Sequence, residues 1–180
     1  SANSRLIVHR DIKGPLMERI LARVRDWKTG DPLDPSNSLG ALIDTEHRGK
    51  VASFLGGDAL IGGAMEGPYC PPTIYEVSRD DPRAREEIFG PVLSVIEVAS
   101  MDEAIEVAND TDYGLTASVF TANARKALRA ARDIRAGTVT VNCYGEGDIS
   151  TPFGGYKQSG FGGRDNGIHA HDQYTELKTI

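Results

Sequence analysis

Glu87 and Phe89 flank Ile88 in the stretch Glu86-Glu87-Ile88-Phe89-Gly90-Pro91-Val92, at the lip of an apolar run. A carboxylate placed there can accept two hydrogen bonds from a ribose diol. An adjacent aromatic can bracket a flat ring. The plainer alternative is a surface acid before a strand, with Phe89 in the core. His47 and Lys50 stand one helical turn apart within the stretch 40–50. Residues i and i+3 share a helix face, so by themselves the two read as a solvated face. A further stretch, Thr151-Pro152-Phe153-Gly154-Gly155-Tyr156-Lys157-Gln158-Ser159-Gly160, again joins turn residues to aromatics, a cation and an amide. It lies in a Gly-rich region, 145–163. Loops beyond strand ends carry specificity in open α/β sheets, which makes this region a candidate substrate rim. Gly154-Gly155 allows close backbone approach, while Phe153 taken alone also reads as a core Phe beside Pro152.

Other motifs do not hold up. Gly160-Phe161-Gly162-Gly163 is not a dinucleotide fingerprint, since nothing places it between a strand and a helix. His169 and His171 are an i, i+2 pair on different sides of a helix with no further ligands nearby, so no metal site is expected. Cys70 and Cys143 are the only cysteines. They form no C-x-x-C pair and no legible disulfide framework, and they read as two buried structural thiols in a reducing compartment. No basic cluster adjoins Cys143 to activate it. Asn109-Asp110-Thr111 is a formal glycosylation sequon, read as chance in the absence of a secretory signal.

The elements that must position these residues follow from periodicity. Leu6-Ile7-Val8 reads as a buried strand. Asp11 is a candidate cap for a helix whose apolar residues Leu16, Ile20, Leu21, Val24 and Trp27 recur at helical spacing, until Gly30, Pro32 and Pro35 impose a loop. A second helix is predicted over Thr45–Leu55, with Gly56-Gly57 as its stop. Thr73–Val77 reads as a strand and Arg79–Arg85 as a charged loop. Val92, Leu93, Val95, Ile96 and Val98 are too continuous for a one-sided sheet and predict a strand covered on both faces. Ser100-Met101-Asp102-Glu103 is a capping box before Ala104, Ile105, Val107 and Ala108. Strand 116–121, helix 123–134 and strand 138–142 continue the alternation. A short helix over 168–173 and a terminal strand over 175–180 complete the chain. Strands alternating with helices imply βαβ units and a mostly parallel sheet in an α/β fold.

The chain has 180 residues, 39% of them hydrophobic and 26% charged. That is enough for a proper core without disulfides. A net charge of -6 lacks the basic face that a nucleic-acid backbone needs. No apolar run approaches the roughly 20 residues that span a bilayer.

The order of Ser1-Ala2-Asn3-Ser4-Arg5-Leu6, Glu86–Val92, Asn142–Tyr144 and Pro152–Gly160 resembles the C-terminal part of NAD(P)-dependent aldehyde dehydrogenases. The match runs essentially from Ser1 to Ile180. The resemblance implies a three-layer αβα fold with a mostly parallel sheet. Residues 1–174 would form the C-terminal portion of the catalytic domain, and residues 175–180 the start of an oligomerisation strand. It implies NAD or NADP as cofactor, with Glu87 on the nicotinamide ribose and Phe89 lining the nicotinamide pocket. Lys50 and His47 would approach the ribose, His47 standing where many relatives have Gln. On the substrate side it implies Phe153 as a channel wall, with Gly147, Asp148 and Ser1 beside it. The family's nucleophilic cysteine would be the residue just before Ser1. The base, the oxyanion-hole Asn and the dinucleotide domain, which chooses between NAD and NADP, would lie upstream. This chain would then be inactive by itself.

One departure bears on the substrate. Many simple-aldehyde enzymes have a bulky aromatic before the Pro-Phe, where this chain has Gly145-Glu146-Gly147-Asp148-Ile149. A missing ring opens the channel, and two acids at its mouth favour an ammonium group. The alternative is a solvated loop. The run from Gly147 to Gly160 resembles the branch that oxidises γ-glutamylaminobutyraldehyde and related aminoaldehydes. The expected whole protein is therefore a cytoplasmic homodimer or homotetramer that oxidises an aldehyde to a carboxylate through a cysteine thiohemiacetal and thioester. A CoA-acylating semialdehyde dehydrogenase and a non-catalytic α/β interaction module remain open. An unsatisfied sheet edge at residues 175–180 would make the separate chain self-associate.

Overall fold

The structure, a computed structural model, describes residues 2–145 and 147–180. The chain divides into two compact units, one of Ser4–Ser100 and one of Met101–Ile180 with Ala2 and Asn3.

In the first unit, β1 (Arg5–His9), β2 (Thr73–Glu76) and β3 (Val92–Val98) form a parallel sheet in the order β1-β3-β2. The most continuously apolar strand therefore takes the centre, where both backbone edges are paired: Leu6 is opposite Val95, and Thr73 opposite Val92. Side chains alternate between the two faces. On one face Val8, Ile74 and Val95 pack with Met17, Leu16 and Ile20 of α1 (Arg10–Val24). On the other, Tyr75 and Val92 pack with Val51 of α2 (Thr45–Ser53), Ile88 and Cys70. A helix on each face of a parallel sheet is the αβα layering that the family resemblance implies.

Local chemistry shifts two boundaries. The cap of α1 is His9, whose Nδ1 accepts from the Asp11 N–H at 3.3 Å, so Asp11 lies in the first turn instead of capping it. The charged segment expected to be a loop contains a short helix, α3 (Pro82–Arg85). Pro82 suits its first turn, and Asp81 Oδ1 accepts from the Arg83 N–H at 2.8 Å.

Lys13 of α1 ties the ends of two strands together, with Nζ 2.5 Å from Glu76 Oε1 and 2.6 Å from Glu97 Oε2. The ammonium holds Glu97 below the usual carboxylate range, and hydrogen bonds to Glu76 and Glu97 raise Lys13. A depressed carboxylate contributes stability above its unfolded value, about 4.3, that is lost as pH falls through its folded value. A raised lysine contributes below about 10.4 and loses it at higher pH. Lys13→Met is accordingly expected to flatten the acid limb of the stability–pH curve by lowering stability at neutral pH, by ~1 kcal/mol at most for an exposed ion pair, with the two curves converging at low pH. Urea midpoints of the full-length protein across pH check this; an unchanged acid limb counts against it.

In the second unit, α4 (Met101–Asn109) begins directly after Ser100. β5 (Thr116–Val119) and β6 (Thr138–Val141) pair in parallel across α5 (Ala124–Asp133), a βαβ crossover. β4 (Tyr113–Gly114) pairs antiparallel with β7 (Tyr156–Lys157). Lys157 Nζ donates to the carbonyls of Asn109 and Thr111 at 2.8 and 2.7 Å, which closes the C-terminal end of α4. The short helix at Ile168–Tyr174 is a 3₁₀ helix. Thr175 is extended, residues 175–180 are exposed, and they pair with no strand among the described residues. Cys70 is buried, and burial pushes its thiol up. Cys143 is exposed, contrary to the reading of two buried thiols. Asn142 before it takes a left-handed φ of 55° and bonds Thr121 through both ends of its amide, which ends β6 and turns the chain outward.

Candidate functional site

The Glu86–Val92 segment is anchored from behind. Arg83 forks onto Asp81, Nε to Oδ1 at 2.9 Å and Nη2 to Oδ2 at 2.8 Å, and lies 4.3 Å over the Tyr75 ring. That fork holds the Asp81 carboxyl below the usual range. Buried Ser94 donates to the Arg83 carbonyl at 2.7 Å, and the Glu86 N–H returns to Pro82 O at 2.8 Å. Ile88 is 2% exposed in the core with Val51 and Val92. Its neighbours Glu87 and Phe89 must then point away from that core, and both are exposed, Phe89 to 73%.

Phe89 adopts a left-handed φ of 59°, which costs a non-glycine residue about 1 kcal/mol. His47 Nε2 lies 2.8 Å from the Phe89 carbonyl, and the two rings meet edge to face with centroids 6.0 Å apart. A neutral hydrogen bond contributes about 1 kcal/mol net, enough to offset that strain. The donor is itself held. Asp44 Oδ1 caps α2 by accepting from the His47 N–H at 2.7 Å, and Val51 is fully buried on the same helix. Gly90 completes the fit, because a Cβ there would stand 3.0 Å from both Cγ atoms of Val51. Lys50, one turn along from His47, is exposed. The structure thus joins His47 to Phe89 directly and carries Glu87 and Lys50, both exposed, on the same two segments. A free carboxylate and an open ring on a braced turn suit hydroxyl donors and a planar heterocycle, so these residues fit a nicotinamide ribose.

The second cluster lies in the other unit. Asp148 shapes a turn: its Oδ1 accepts from the Ser150 N–H at 2.9 Å, and hydrogen bonds from the Ser150 side chain and then its N–H hold the carboxyl below the usual range. Its backbone exchanges bonds with Thr151, whose Oγ1 donates to Asp148 O at 2.6 Å. Gly147 has φ 90°, and a Cβ there would meet Thr151 Oγ1 at 2.5 Å. Phe153 is half-buried and exchanges both backbone bonds with Asp165 at 2.6 Å. Ser1 and Glu146 lie outside the described residues. Sequence reasoning missed the brace of Asp44, Asp81, Arg83 and Ser94; the only signals were the acids standing before two helix starts.

The aldehyde dehydrogenase family profile matches residues 1–180. The chain belongs to the aldehyde dehydrogenase family. It is 57% identical to an aminoacetaldehyde dehydrogenase of Pseudomonas aeruginosa, over all of this chain and 38% of that protein. The crystal structure of a gamma-glutamyl-gamma-aminobutyraldehyde dehydrogenase from Burkholderia cenocepacia superposes with a TM-score of 0.90 at 50% identity, over 97% of this chain and 38% of that one. An indole-3-acetaldehyde dehydrogenase solved with NAD+ gives a TM-score of 0.91 at 47% identity, over 97% of this chain and 38% of its own. The chain spans about 38% of the length of these relatives. Among the described residues no group of His, Cys, Asp and Glu could hold a metal, and no helix is long and apolar enough to cross a membrane.

Proposed function

We propose that the whole protein oxidises an aminoaldehyde to the corresponding acid with NAD+ or NADP+. In this reading Glu87 and Lys50 hold the nicotinamide ribose and Phe89 lines the nicotinamide pocket. The observation that carries it is the exposed Glu87–Phe89 turn, braced by buried Ile88 and by His47. When bound, the coenzyme supplies the oxidant by accepting hydride from the aldehyde carbon. The aldehyde carbon would be held as a thiohemiacetal, then a thioester, on a cysteine supplied by the rest of the polypeptide. Phe153 walls the channel. Asp148, whose carboxyl the hydrogen bonds from Ser150 hold below the usual range, favours a substrate ammonium at the mouth. Support for the substrate class comes from the aminoacetaldehyde dehydrogenase at 57% identity and from that acid.

The test uses the full-length protein. Its kcat/KM for an aminoaldehyde should exceed that for an uncharged aldehyde of equal length, and Asp148→Asn should narrow the gap. Equal rates in the unaltered protein would remove the substrate assignment. Glu87→Gln should raise the NAD(P)+ Kd about tenfold, as expected for losing charge-assisted hydrogen bonds. Unchanged turnover and unchanged affinity would remove the clamp.

A further inference from the structure

We propose that His47 is a positioning residue for the coenzyme clamp, holding the Phe89 carbonyl instead of contacting the coenzyme. The inference deepens the proposed function and rests on it for its effect on binding, though not for its geometry. A carbonyl oxygen only accepts, so the Nε2 atom 2.8 Å from Phe89 O must carry the proton. That nitrogen is then committed to the protein backbone before any ligand arrives. The bond holds the Phe89 carbonyl against His47 of α2, and the Phe89 ring, in edge-to-face contact with the His47 ring, stays 73% exposed.

The arrangement is enforced from both ends. Asp44 fixes the first turn of α2 through the His47 amide. Val51 fixes its last turn in the core, and a Cβ on Gly90 would press on the Val51 methyl groups at 3.0 Å. Ile88 is held in the same core, and His47 adds a second restraint on this turn at the Phe89 carbonyl. The ring-to-ring contact adds an edge-to-face restraint at 78°. His47 therefore acts on the ribose and nicotinamide through the direction it gives Glu87 and Phe89.

Two measurements on the full-length enzyme test this. In the coenzyme-free protein, imidazole ¹⁵N shifts should show His47 protonated at Nε2 with Nδ1 bare when neutral. A dominant Nδ1–H tautomer overturns the proposal, whatever the enzyme binds. Against NAD+, His47→Phe keeps a ring but loses the donor and should raise Kd about tenfold, the size of one lost hydrogen bond. His47→Gln restores a donor and should stay within about twofold of the unaltered enzyme. The aldehyde KM should barely move in either, and the thermal midpoint should fall slightly in His47→Phe, as expected for one lost hydrogen bond. Glu87→Gln serves as the reference. If it weakens NAD+ binding and His47→Phe does not, the positioning role falls and the clamp stands. If neither variant weakens binding, the clamp itself falls. Equal weakening by Phe and Gln at His47 also overturns the proposal, because the donor would then not matter.

Discussion

Gly137→Ala is expected to destabilise the second unit by about 3 kcal/mol or more, at the upper end of what overpacking costs. A Cβ on Gly137 would stand 1.7 Å from the Gly154 carbonyl oxygen and 2.8 Å from its carbon. Both atoms are backbone, so no rotamer change relieves the clash. The Gly137 amide is also tied to Gly114 O at 3.0 Å, and Gly114 N–H to Ser159 Oγ at 3.1 Å, so the start of β6 cannot easily retreat. The chain that must yield is the one carrying Phe153, whose paired amides with Asp165 hold the candidate channel wall. Urea unfolding of the full-length protein should show the loss, and amide exchange at Phe153 and Asp165 should quicken. A loss below about 1 kcal/mol with unchanged exchange would mean the contact relaxes freely.

Ile88→Ala is expected to cost about 2–5 kcal/mol, the range for emptying a buried aliphatic site. Ile88 is 2% exposed and sits among Val51, Cys70, Tyr75 and Val92. Its second effect should be functional, because it is the anchor between Glu87 and Phe89. With the anchor gone, the turn gains freedom that the coenzyme must remove on binding, and NAD+ affinity should fall together with stability. Ile88→Val, which removes one methylene, should cost only about 1 kcal/mol and leave affinity nearly intact. Unfolding midpoints and NAD+ titration of both variants decide it. An Ile88→Ala enzyme with unaltered affinity would show that the core and the turn are independent.

The regular elements were legible where periodicity and terminators agreed. The apolar run at 92–98 announced a strand covered on both faces, and Val92 and Val95 join core clusters on opposite faces. The Leu16–Val24 spacing announced α1. Charge density concealed α3, because Arg and Asp in a short segment read as solvated loop, whereas here they satisfy each other and an aromatic face. The thiol of Cys143 was misread because a strand-end position says nothing about which way the chain turns next. Asp148 was legible as an acid but not as a turn-former, since its engagement by the Ser150 side chain and N–H depends on the turn the chain takes.

The amino-acid order alone determined the α/β class, the parallel pairing, the family resemblance and the residues with chemistry to offer, because hydrophobic period and residue type are local properties. Only the tertiary structure decided how those residues are held. The left-handed turn at Phe89, its carbonyl received by a histidine forty-two residues away, and the glycine contacts at Gly90 and Gly137 all arise where segments remote in sequence meet. Steric exclusion and hydrogen-bond satisfaction act between such segments, and no local pattern encodes which of them will touch.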